Sequence, residues 1–379
     1  MSGQHADHPA GHGNPAVAVR EEDAFDVDAV AVWLREHAEP EVARDLVGTP
    51  EVRQFPGGAS NLTYLLRYPI RDLILRRPPA GVKATSAHDM AREFRVQAAL
   101  RPVFGLVPPM VGLCADASVI GSEFYVMERV EGTILRRDLP WAMSPAETSA
   151  LCESAFEVLA LLHEVDVVAA DLGDLGRGVG YVARQVAGWT DRLARARTDD
   201  TGDWSDITGW LAEHQPADVA QCLIHNDFRF DNLVLAPDDA RRVVAVLDWE
   251  MATVGDPLMD LGGALAYWVE PGDDEYFQGF RRQPTTAPGW TRDEVVAWYA
   301  RRTGRLVSPT AGASTRCSVC SGWPSSPSRS GPLRPRADHQ PRLRGLRPRG
   351  GLPGAALPPA DRVSDGADLA GATRTGLVR

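Results

Sequence analysis

Residues 222–262 read CLIHNDFRFDNLVLAPDDARRVVAVLDWEMATVGDPLMDLG and contain three polar side chains with the chemistry of a catalytic site. Asp227 and Asn232 lie five residues apart, and Asp248 follows the apolar run 243–247. The length and β-branching of that run predict a buried strand, and an acid at its end is costly to bury unless it binds a cation. The Leu-Val-Leu run after Asn232 predicts a second strand, so the two should pair as a hairpin. The three polar side chains are then expected to converge.

Length and composition are those of a soluble globular protein. The chain has 379 residues, of which 44% are apolar and 24% are charged, enough for two ordinary domains. No apolar run approaches the roughly 18 residues that a membrane span needs. The N-terminal residues lack the apolar core of a signal peptide. We therefore expect a cytoplasmic protein without a membrane partner, with a disordered tail over residues 1–24.

Charge and cysteine usage argue against two further classes. The net charge is −11, and residues 1–304 hold 47 of the 51 acidic residues but only 28 of the 40 basic ones. Such an acidic body argues against nucleic acid as a partner. The five cysteines are an odd number scattered along the chain, which argues against a disulfide framework. Cys317 and Cys320 form one C-x-x-C pair, and without a second pair they do not predict a zinc or redox site.

The first part of the sequence predicts a helix followed by an antiparallel sheet. Val30, Trp33 and Leu34 recur at helical spacing between residues 25 and 46, as in a helix with one apolar face. Three short apolar runs follow, separated by turn residues, as in an antiparallel meander. These predicted strands cover residues 51–55, 62–68 and 72–76.

The connection between the first two predicted strands is rich in glycine and small polar residues. It contains Gly57, Gly58, Ser60 and Asn61. Glycines let backbone N–H groups approach a polyphosphate closely, and the Ser60 and Asn61 side chains can add donors. A simple hairpin turn would use the same glycines, so this stretch alone leaves both interpretations open.

A cation and an acid follow this loop. Arg76 ends the third predicted strand, and Glu93 lies seventeen residues later on a helix predicted over residues 86–100, where apolar residues recur at helical spacing. Two more strands are predicted over residues 107–113 and 122–129. Gly132 then frees the chain, which is a natural boundary between two lobes.

From residue 144 onward the pattern becomes helical. Apolar residues share one face of a long predicted helix that ends near His163, and further helices follow. They cover residues 181–193, 204–212, 256–269 and 293–302. We therefore predict an α+β fold with two lobes. The N-lobe, residues 25–131, combines an antiparallel sheet with a helix, and the C-lobe, residues 132–304, is mainly α-helical.

These residues match the requirements of phosphoryl transfer. The reaction needs donors around the phosphates, a cation, metal ligands and an acceptor for the hydroxyl proton. The glycine-rich loop would supply the donors, and Arg76, oriented by Glu93, the cation. Asn232 and Asp248 offer the oxygen ligands that Mg²⁺ prefers. Asp227 is then the base.

The spacing His225-x-Asp227-x-x-x-x-Asn232, followed by Leu247-Asp248-Trp249-Glu250, resembles the protein-kinase-like signature of the aminoglycoside phosphotransferase family. The similarity is greatest to the branch related to the kinase-like domains attached to acyl-CoA dehydrogenases, and it covers residues 26–304. Supporting motifs are Gly57-Gly58-x-Ser60-Asn61-x-Thr63-Tyr64, Leu75-Arg76-Arg77-Pro78-Pro79, Glu93 and Gly255-Asp256-Pro257-x-x-Asp260-Leu261.

The resemblance implies a protein-kinase-like fold with a site divided between the lobes. The backbone from Glu128 to Val130 would bind the purine of ATP or GTP. Asn232 and Asp248 would bind Mg²⁺, and Asp227 would accept the proton of a small-molecule hydroxyl. Arg76 stands where kinases have a lysine, which keeps the charge but changes its geometry.

Alternatives remain open for the acceptor and for the function. The acceptor could be a hydroxyacyl-CoA-like or other hydroxylated metabolite, or an aminoglycoside. A protein substrate would need an activation segment that we do not recognise after Asp248. His225, Asp256 and Asp260 fit support of the loop and of helix ends better than contact with substrate. A nucleotide-binding module without catalysis and a metal-dependent hydrolase are the competing functional hypotheses.

Residues 305–379 differ from the rest of the chain in composition. Pro, Gly, Ser and Arg dominate and apolar residues show no period, so we expect disorder. A basic nucleic-acid-binding tail is one interpretation. A shifted reading frame is another, because permitted GC-rich codons for residues 316–329 can be read in a second frame as the start of an amphipathic helix. The C-lobe would then lack helices that wall the acceptor pocket, and the chain could bind nucleotide without transferring phosphate.

Overall fold

The N-lobe is built on a five-stranded antiparallel sheet. The structure, a computed structural model, describes residues 16–56, 61–79, 89–136, 138–196, 204–273, 278 and 289–305. The strands of this sheet are β1 (Glu51–Gln54), β2 (Leu62–Arg67), β3 (Asp72–Arg77), β4 (Met110–Cys114) and β5 (Phe124–Glu128). Their order is β1-β2-β3-β5-β4, and every neighbouring pair is antiparallel. The predicted meander is confirmed, and β5 extends it beside β3.

Helices cover both faces of this sheet. They are α1 (Val27–His37), α2 (Pro40–Ala43) and α3 (Met90–Leu100). Successive strand residues point to opposite faces, so Leu73 of β3 packs with Trp33 of α1, whereas Ile74 packs with Met90 of α3. The helix predicted over residues 25–46 is divided, because a proline at the first helical position begins α2 and disfavours helical backbone in the residue before it.

The segment before α1 corrects the predicted N-terminal boundary. Val17 pairs with Gln54 through two backbone hydrogen bonds of 2.8 and 2.9 Å. Gln54 Nε2 donates to the Asp23 carboxylate at 2.8 Å, and Arg77 donates to the Asp23 carbonyl at 2.7 Å. The disordered tail predicted over residues 1–24 was therefore wrong from residue 16 on. The segment supplies polar partners to two side chains of the sheet, and composition gives no sign of this.

The C-lobe is mainly helical, as predicted, and carries two short two-stranded sheets. Its helices are α4 (Pro145–Leu162), α5 (Tyr181–Ala196), α6 (Ser205–Glu213), α7 (Pro257–Ala266) and α8 (Arg292–Thr303). Its strands are β6 (Cys222–Ile224), β7 (Leu233–Leu235), β8 (Val243–Val246) and β9 (Thr253–Gly255). β6 pairs with β9, and β7 pairs with β8 as the predicted hairpin. None of the helices in the described part of the chain is long and apolar enough to cross a membrane.

The chain passes from one lobe to the other at Gly132. Its φ of +154° is open mainly to glycine, and a Cβ atom there would lie 2.2 Å from the Leu235 carbonyl oxygen. The next residue, Thr133, exchanges backbone hydrogen bonds of 2.9 and 2.8 Å with Leu235. Only glycine lets the backbone approach β7 so closely, and this contact brings the end of the N-lobe against the hairpin of the C-lobe.

Asp218 anchors the start of α5. Its carboxylate accepts hydrogen bonds from the N–H groups of Gly180, Tyr181 and Val182 at 2.6, 2.8 and 2.9 Å. Burial alone would raise the pKa of Asp218, but these three bonds outweigh it and hold the pKa below its ordinary value. In Asp218→Asn the amide would turn an NH₂ group toward at least one of these three donors, so we expect this variant to lower the free energy of unfolding at pH 7 by about 1–3 kcal/mol, the cost of leaving a donor without its acceptor.

The pH dependence of this effect follows from the lowered pKa. The ionised carboxylate stabilises the fold fully above the pKa of an unfolded aspartate, and the contribution is lost as the pH falls through the folded pKa. Urea unfolding of both proteins at pH 7 and at about pH 2.5 should therefore show a difference that shrinks in acid. A difference of the same size at both pH values would contradict this interpretation.

Candidate active site

The loop after β6 begins with a buried histidine. The His225 backbone N–H donates to the Asp260 carboxylate at 2.7 Å, and its Nε2 lies 3.0 Å from the Leu247 carbonyl oxygen. The side chain is therefore engaged with the protein itself, as the sequence suggested. Asp260 supports the loop from α7, and Asp256 caps the start of the same helix by accepting from Leu258 N–H at 2.9 Å.

Asn226 holds the next turn of this loop. Its φ of +57° is left-handed, a conformation in which Asn is enriched because its short side chain can bond locally. The Asn226 Oδ1 accepts from the Tyr181 hydroxyl at 2.9 Å, and its Nδ2 donates to the Met251 carbonyl at 3.0 Å. The loop is thus fixed on one side by α5 and on the other by the turn before β9.

Asp227 and Asn232 are in direct contact. Asn232 Nδ2 donates to the Asp227 carboxylate at 3.0 Å and to its backbone carbonyl at 2.9 Å. Arg229 lies 3.2 Å from the same carboxylate. Burial raises the pKa of Asp227, while Arg229, His225 and the Asn232 bond oppose the increase. The side chain keeps 22% of its surface exposed, so a substrate hydroxyl can reach it.

Asp248 lies two residues beyond the end of the β7–β8 hairpin. The hairpin joins it to the loop, because Leu247 N–H donates to the Asn232 carbonyl at 2.8 Å. Asp248 adopts a left-handed φ of +68°, and its carboxylate accepts from Arg76 at 3.0 Å. Burial alone would raise the pKa of Asp248, but the Arg76 guanidinium outweighs it and lowers the pKa below its ordinary value. Asp248 is therefore ionised.

Arg76 connects this site to α3. One guanidinium nitrogen of Arg76 bonds to Asp248, and the other donates to Glu93 at 2.8 Å. Glu93 also accepts from the Tyr125 hydroxyl at 2.8 Å. Burial raises the pKa of Glu93 even though Arg76 opposes it, and Glu93 is 1% exposed. The predicted ion pair is present, and it places a buried cation between two acids from different lobes.

The glycine-rich loop is only partly described. Gly57, Gly58 and Ser60 lie outside the described residues, and Asn61 is buried. Asn61 Nδ2 donates to Glu250 Oε2 at 3.0 Å. The end of this loop therefore contacts the turn that follows Asp248.

The segment predicted to bind the purine crosses between the lobes. Glu128 N–H donates to the Pro109 carbonyl at 2.8 Å, and Arg129 N–H donates to the Asp72 carbonyl at 3.2 Å. The Glu128 carboxylate pairs with Arg71 at 2.5 Å. Val130 N–H donates to no other residue in the part of the chain that the structure describes. The backbone of this segment is thus held in place, and the Val130 amide is the donor that a purine could use.

Sequence reasoning missed two arginines of this site. Arg229 contacts Asp227, and its guanidinium lies 4.9 Å from the centre of the Tyr267 ring. Its position two residues after Asp227 was a usable signal. Arg92 of α3 donates to the Glu250 carbonyl at 3.0 Å and to the Ala252 carbonyl. Sequence carries no sign of such bonds, since their acceptors are backbone atoms.

A small apolar pocket lies behind Arg229. Aromatic and aliphatic side chains from α4, α7 and the segment around β7 line it. They are Ala155, Phe156, Phe228, Phe230, Leu233, Ala264, Tyr267 and Trp268. Among its lining residues Arg229 is the charged one.

The donor set of the site is one of oxygen atoms. Within the described ranges, no group of three or more His, Cys, Asp or Glu side chains is arranged to hold a metal ion. Asn232 and Asp248 together provide an amide and a carboxylate, which suit a hard cation better than zinc.

This two-lobe fold, with a polar set where the lobes meet, is that of a kinase-like phosphotransferase. The sequence profile of the Phosphotransferase enzyme family (APH) matches residues 51–295, and the chain belongs to this family. This family is one of phosphotransferase enzymes.

The chain is also similar to part of each of two longer proteins. The chain is 36% identical over 290 residues to rat acyl-CoA dehydrogenase family member 11, covering 76% of this chain and 37% of that protein. It is 38% identical over 259 residues to mouse acyl-CoA dehydrogenase family member 10, covering 68% of this chain and 24% of that protein. The chain thus spans 37% of the length of the first relative and 24% of the length of the second.

Solved structures show the same fold. A "putative aminoglycoside phosphotransferase" from Ralstonia eutropha has a TM-score of 0.63 and 33% identity, covering 77% of this chain and 85% of its own. Macrolide 2'-phosphotransferase type I has a TM-score of 0.51 and 18% identity, covering 79% of this chain and 90% of its own. The latter similarity shows the fold alone.

Proposed function

We propose that this chain transfers the γ-phosphate of ATP or GTP to the hydroxyl of a small molecule, with Asp227 as the base. The observation that carries the proposal is the ion pair of Arg76 with Asp248, 3.0 Å apart. It brings the phosphate-binding cation of the N-lobe to the metal-binding acid of the C-lobe. Asn232 links that acid's hairpin to Asp227.

The residues fit a bound Mg²⁺. Asp248 is ionised and its side chain is 32% exposed. Asn232 uses its Nδ2 for Asp227, so its amide oxygen is the atom left for a cation. Asn232 and Asp248 would hold the ion, which when bound neutralises charge on the phosphate oxygens.

We also propose a cytoplasmic location, where nucleotide is abundant.

The chain's own residues account for the proton and for the phosphate charge. As the acceptor oxygen bonds to the γ-phosphorus, the bond from that phosphorus to the bridging oxygen breaks, and ADP or GDP leaves. Asp227 Oδ takes the proton of the hydroxyl, which requires it to be ionised. Arg229 favours that state, because it opposes the increase that burial causes in the pKa of Asp227. Arg76 provides a fixed positive charge for the phosphates.

The acceptor is proposed to be hydroxyacyl-CoA-like. Arg229 lies beside Asp227 and over the Tyr267 ring, and a cation next to the base suits an acceptor with an anionic group better than a polycation. The names of the relatives point the same way, since they are acyl-CoA dehydrogenase family members. An aminoglycoside is the second candidate, because solved neighbours bear that name.

An acceptor panel tests this proposal. Transfer of labelled γ-phosphate from ATP and from GTP should be measured with hydroxyacyl-CoA thioesters, the free hydroxy acids and several aminoglycosides at equal concentration. We expect label on the hydroxyacyl compounds and none on the aminoglycosides. Label on the aminoglycosides alone would instead make an aminoglycoside the preferred acceptor.

A nucleotide-binding module without catalysis is the alternative. It follows if a shifted frame has replaced helices that should wall the acceptor pocket after α8. The chain would then bind nucleotide yet label no acceptor in the panel, whereas a frame-restored version would label one. Equal activity and equal melting temperatures of the two versions would contradict the shifted frame.

Arg92 offers a test of how the site is held together. We expect Arg92→Ala to raise the KM for nucleotide by about 10-fold, as loss of a supporting hydrogen bond to a metal-binding loop does. Two carbonyls beyond Asp248 lose their donor in this variant. Steady-state kinetics at saturating acceptor measures the effect.

Arg95 is the matched control for this measurement. It lies on the same helix and pairs with Asp174 at the surface, where an ion pair is worth about 0–1 kcal/mol. Arg95→Ala should change the KM for nucleotide by less than about twofold. Equal increases in the KM for nucleotide from the two substitutions would show that the effect comes from α3 in general and not from the hydrogen bonds of Arg92.

A further inference from the structure

A chain of hydrogen bonds, buried except at Arg305, runs from just after α8 to the loop that carries Asp227. Arg305 donates to the Tyr299 hydroxyl oxygen at 3.0 Å, and that hydroxyl lies 2.6 Å from His163 Nδ1. His163 Nε2 lies 3.1 Å from Asp260 Oδ2. The same oxygen accepts from His225 N–H at 2.7 Å.

The donors and acceptors of this chain fit one direction throughout. Asp260 Oδ2 accepts from the His225 N–H, and His163 can donate to the same oxygen from Nε2. With its proton on Nε2, His163 accepts at Nδ1, so the Tyr299 hydroxyl donates to it. The hydroxyl oxygen is left to accept from Arg305, which can only donate. Each bond is thereby oriented by its neighbours, and hydrogen-bonded chains of this kind strengthen one another.

Burial makes the chain costly to break. The side chains of His163 and Asp260 are fully buried, and Tyr299 is 0% exposed. Burial raises the pKa of the Tyr299 hydroxyl, which keeps it protonated as a donor. Polar groups at such depth destabilise a protein unless they are bonded. Apolar side chains could fill the same space, so the polar set calls for a purpose beyond packing.

One backbone group in this series of hydrogen bonds lies away from the helices and their ends, and its position indicates the purpose. His163 ends α4, Asp260 belongs to α7 and Tyr299 to α8. The remaining group is the His225 N–H, two residues before Asp227. A bond that fixes this amide fixes the path of the backbone into the loop that presents the base.

We propose that His163 and Tyr299 are positioning residues for Asp227, acting through Asp260 and His225. The inference rests on the proposed catalytic function of Asp227. Arg305, whose second nitrogen also donates to the His163 carbonyl at 3.2 Å, completes the chain at its far end. Residue 305 thus belongs with the C-lobe. The C-terminal tail, predicted over residues 305–379, therefore begins at least one residue later.

The first test observes the loop without requiring turnover. Protein labelled with ¹⁵N-histidine reports the His225 amide, which donates a short bond to a carboxylate. Tyr299→Phe removes only the hydroxyl and should shift this resonance. Val295→Ala is the matched control, since Val295 is equally buried on α8 but takes no part in the chain. It should lower the melting temperature and leave the resonance in place.

The second test separates positioning from stability. At a temperature well below unfolding, Tyr299→Phe should lower kcat by about 10-fold to 100-fold, as loss of a supporting hydrogen bond does. The KM for nucleotide should stay within about twofold, because the nucleotide contacts are not touched. Val295→Ala should keep the kcat of the wild type. If Tyr299→Phe does not fold, Arg305→Gln removes the end of the chain and should shift the His225 amide in the same direction.

Two outcomes would overturn the inference. One is a His225 amide that does not move in Tyr299→Phe, and the other is a loss of kcat no larger than that of Val295→Ala. A wild-type protein that transfers no phosphate to any acceptor would instead contradict the proposed function. The amide shift would still decide whether the chain positions the loop.

Discussion

Asp227→Asn is expected to lower kcat by about 10²-fold to 10⁴-fold, the range for removal of a general base. The amide keeps the size of the side chain and can still bond to Asn232, which contacts the carboxylate at 3.0 Å. What it loses is the ability to take the proton of the acceptor hydroxyl. Affinity for nucleotide should therefore stay within about twofold.

The control for this substitution lies in the same stretch of sequence. Asp238→Asn, on the exposed turn of the β7–β8 hairpin, removes a surface pair with Arg242 and should leave kcat unchanged. Single-turnover transfer from labelled nucleotide measures both variants. If Asp227→Asn retained wild-type turnover while binding nucleotide normally, Asp227 would not be the base.

Arg76→Ala is expected to lower the free energy of unfolding by about 3–5 kcal/mol, the cost of removing one partner from a buried ion pair. Glu93, which is 1% exposed, would lose its cation. Asp248 would lose the group that lowers its pKa. The variant should also lose transfer activity, because the phosphates lose a fixed positive charge.

A double variant separates the two consequences of this change. Arg76→Met combined with Glu93→Leu replaces the buried pair by apolar side chains, which often restores stability. We expect urea unfolding close to that of the wild type but no recovery of phosphate transfer. If Arg76→Ala unfolded at the same urea concentration as the wild type, the ion pair would contribute little to stability. Recovery of activity in the double variant would show that Arg76 does not bind phosphate.

The sequence predicted those parts of the site that follow from local patterns of residues. The run before Asp248 had the length and branching of a buried strand, and the hairpin with β7 followed from it. Arg76 lies next to the end of a strand and Glu93 lies in the first turn of a helix, so their ion pair followed once the elements were placed. The predicted antiparallel sheet and helical C-lobe rested on periodicity in the same way.

The parts that sequence missed depend on contacts without a pattern. Arg92 binds backbone carbonyls, which any residue could offer. Tyr299 meets His163 across 136 residues, and neither spacing nor composition links them. The close approach at Gly132 depends on the position of Leu235. Such contacts are set by how elements pack, and the sequence specifies packing only through all of its residues together.

The central claim is that this chain forms a phosphate ester by moving the γ-phosphate of a nucleotide to a hydroxyl. Phosphorus NMR of the wild-type protein with ATP, Mg²⁺ and a mixture of hydroxyacyl-CoA thioesters tests it most directly. We predict that a new phosphomonoester signal grows in step with ADP and is absent with Asp227→Asn. Consumption of ATP that yields only inorganic phosphate, or an ester that forms equally well with Asp227→Asn, would contradict the account.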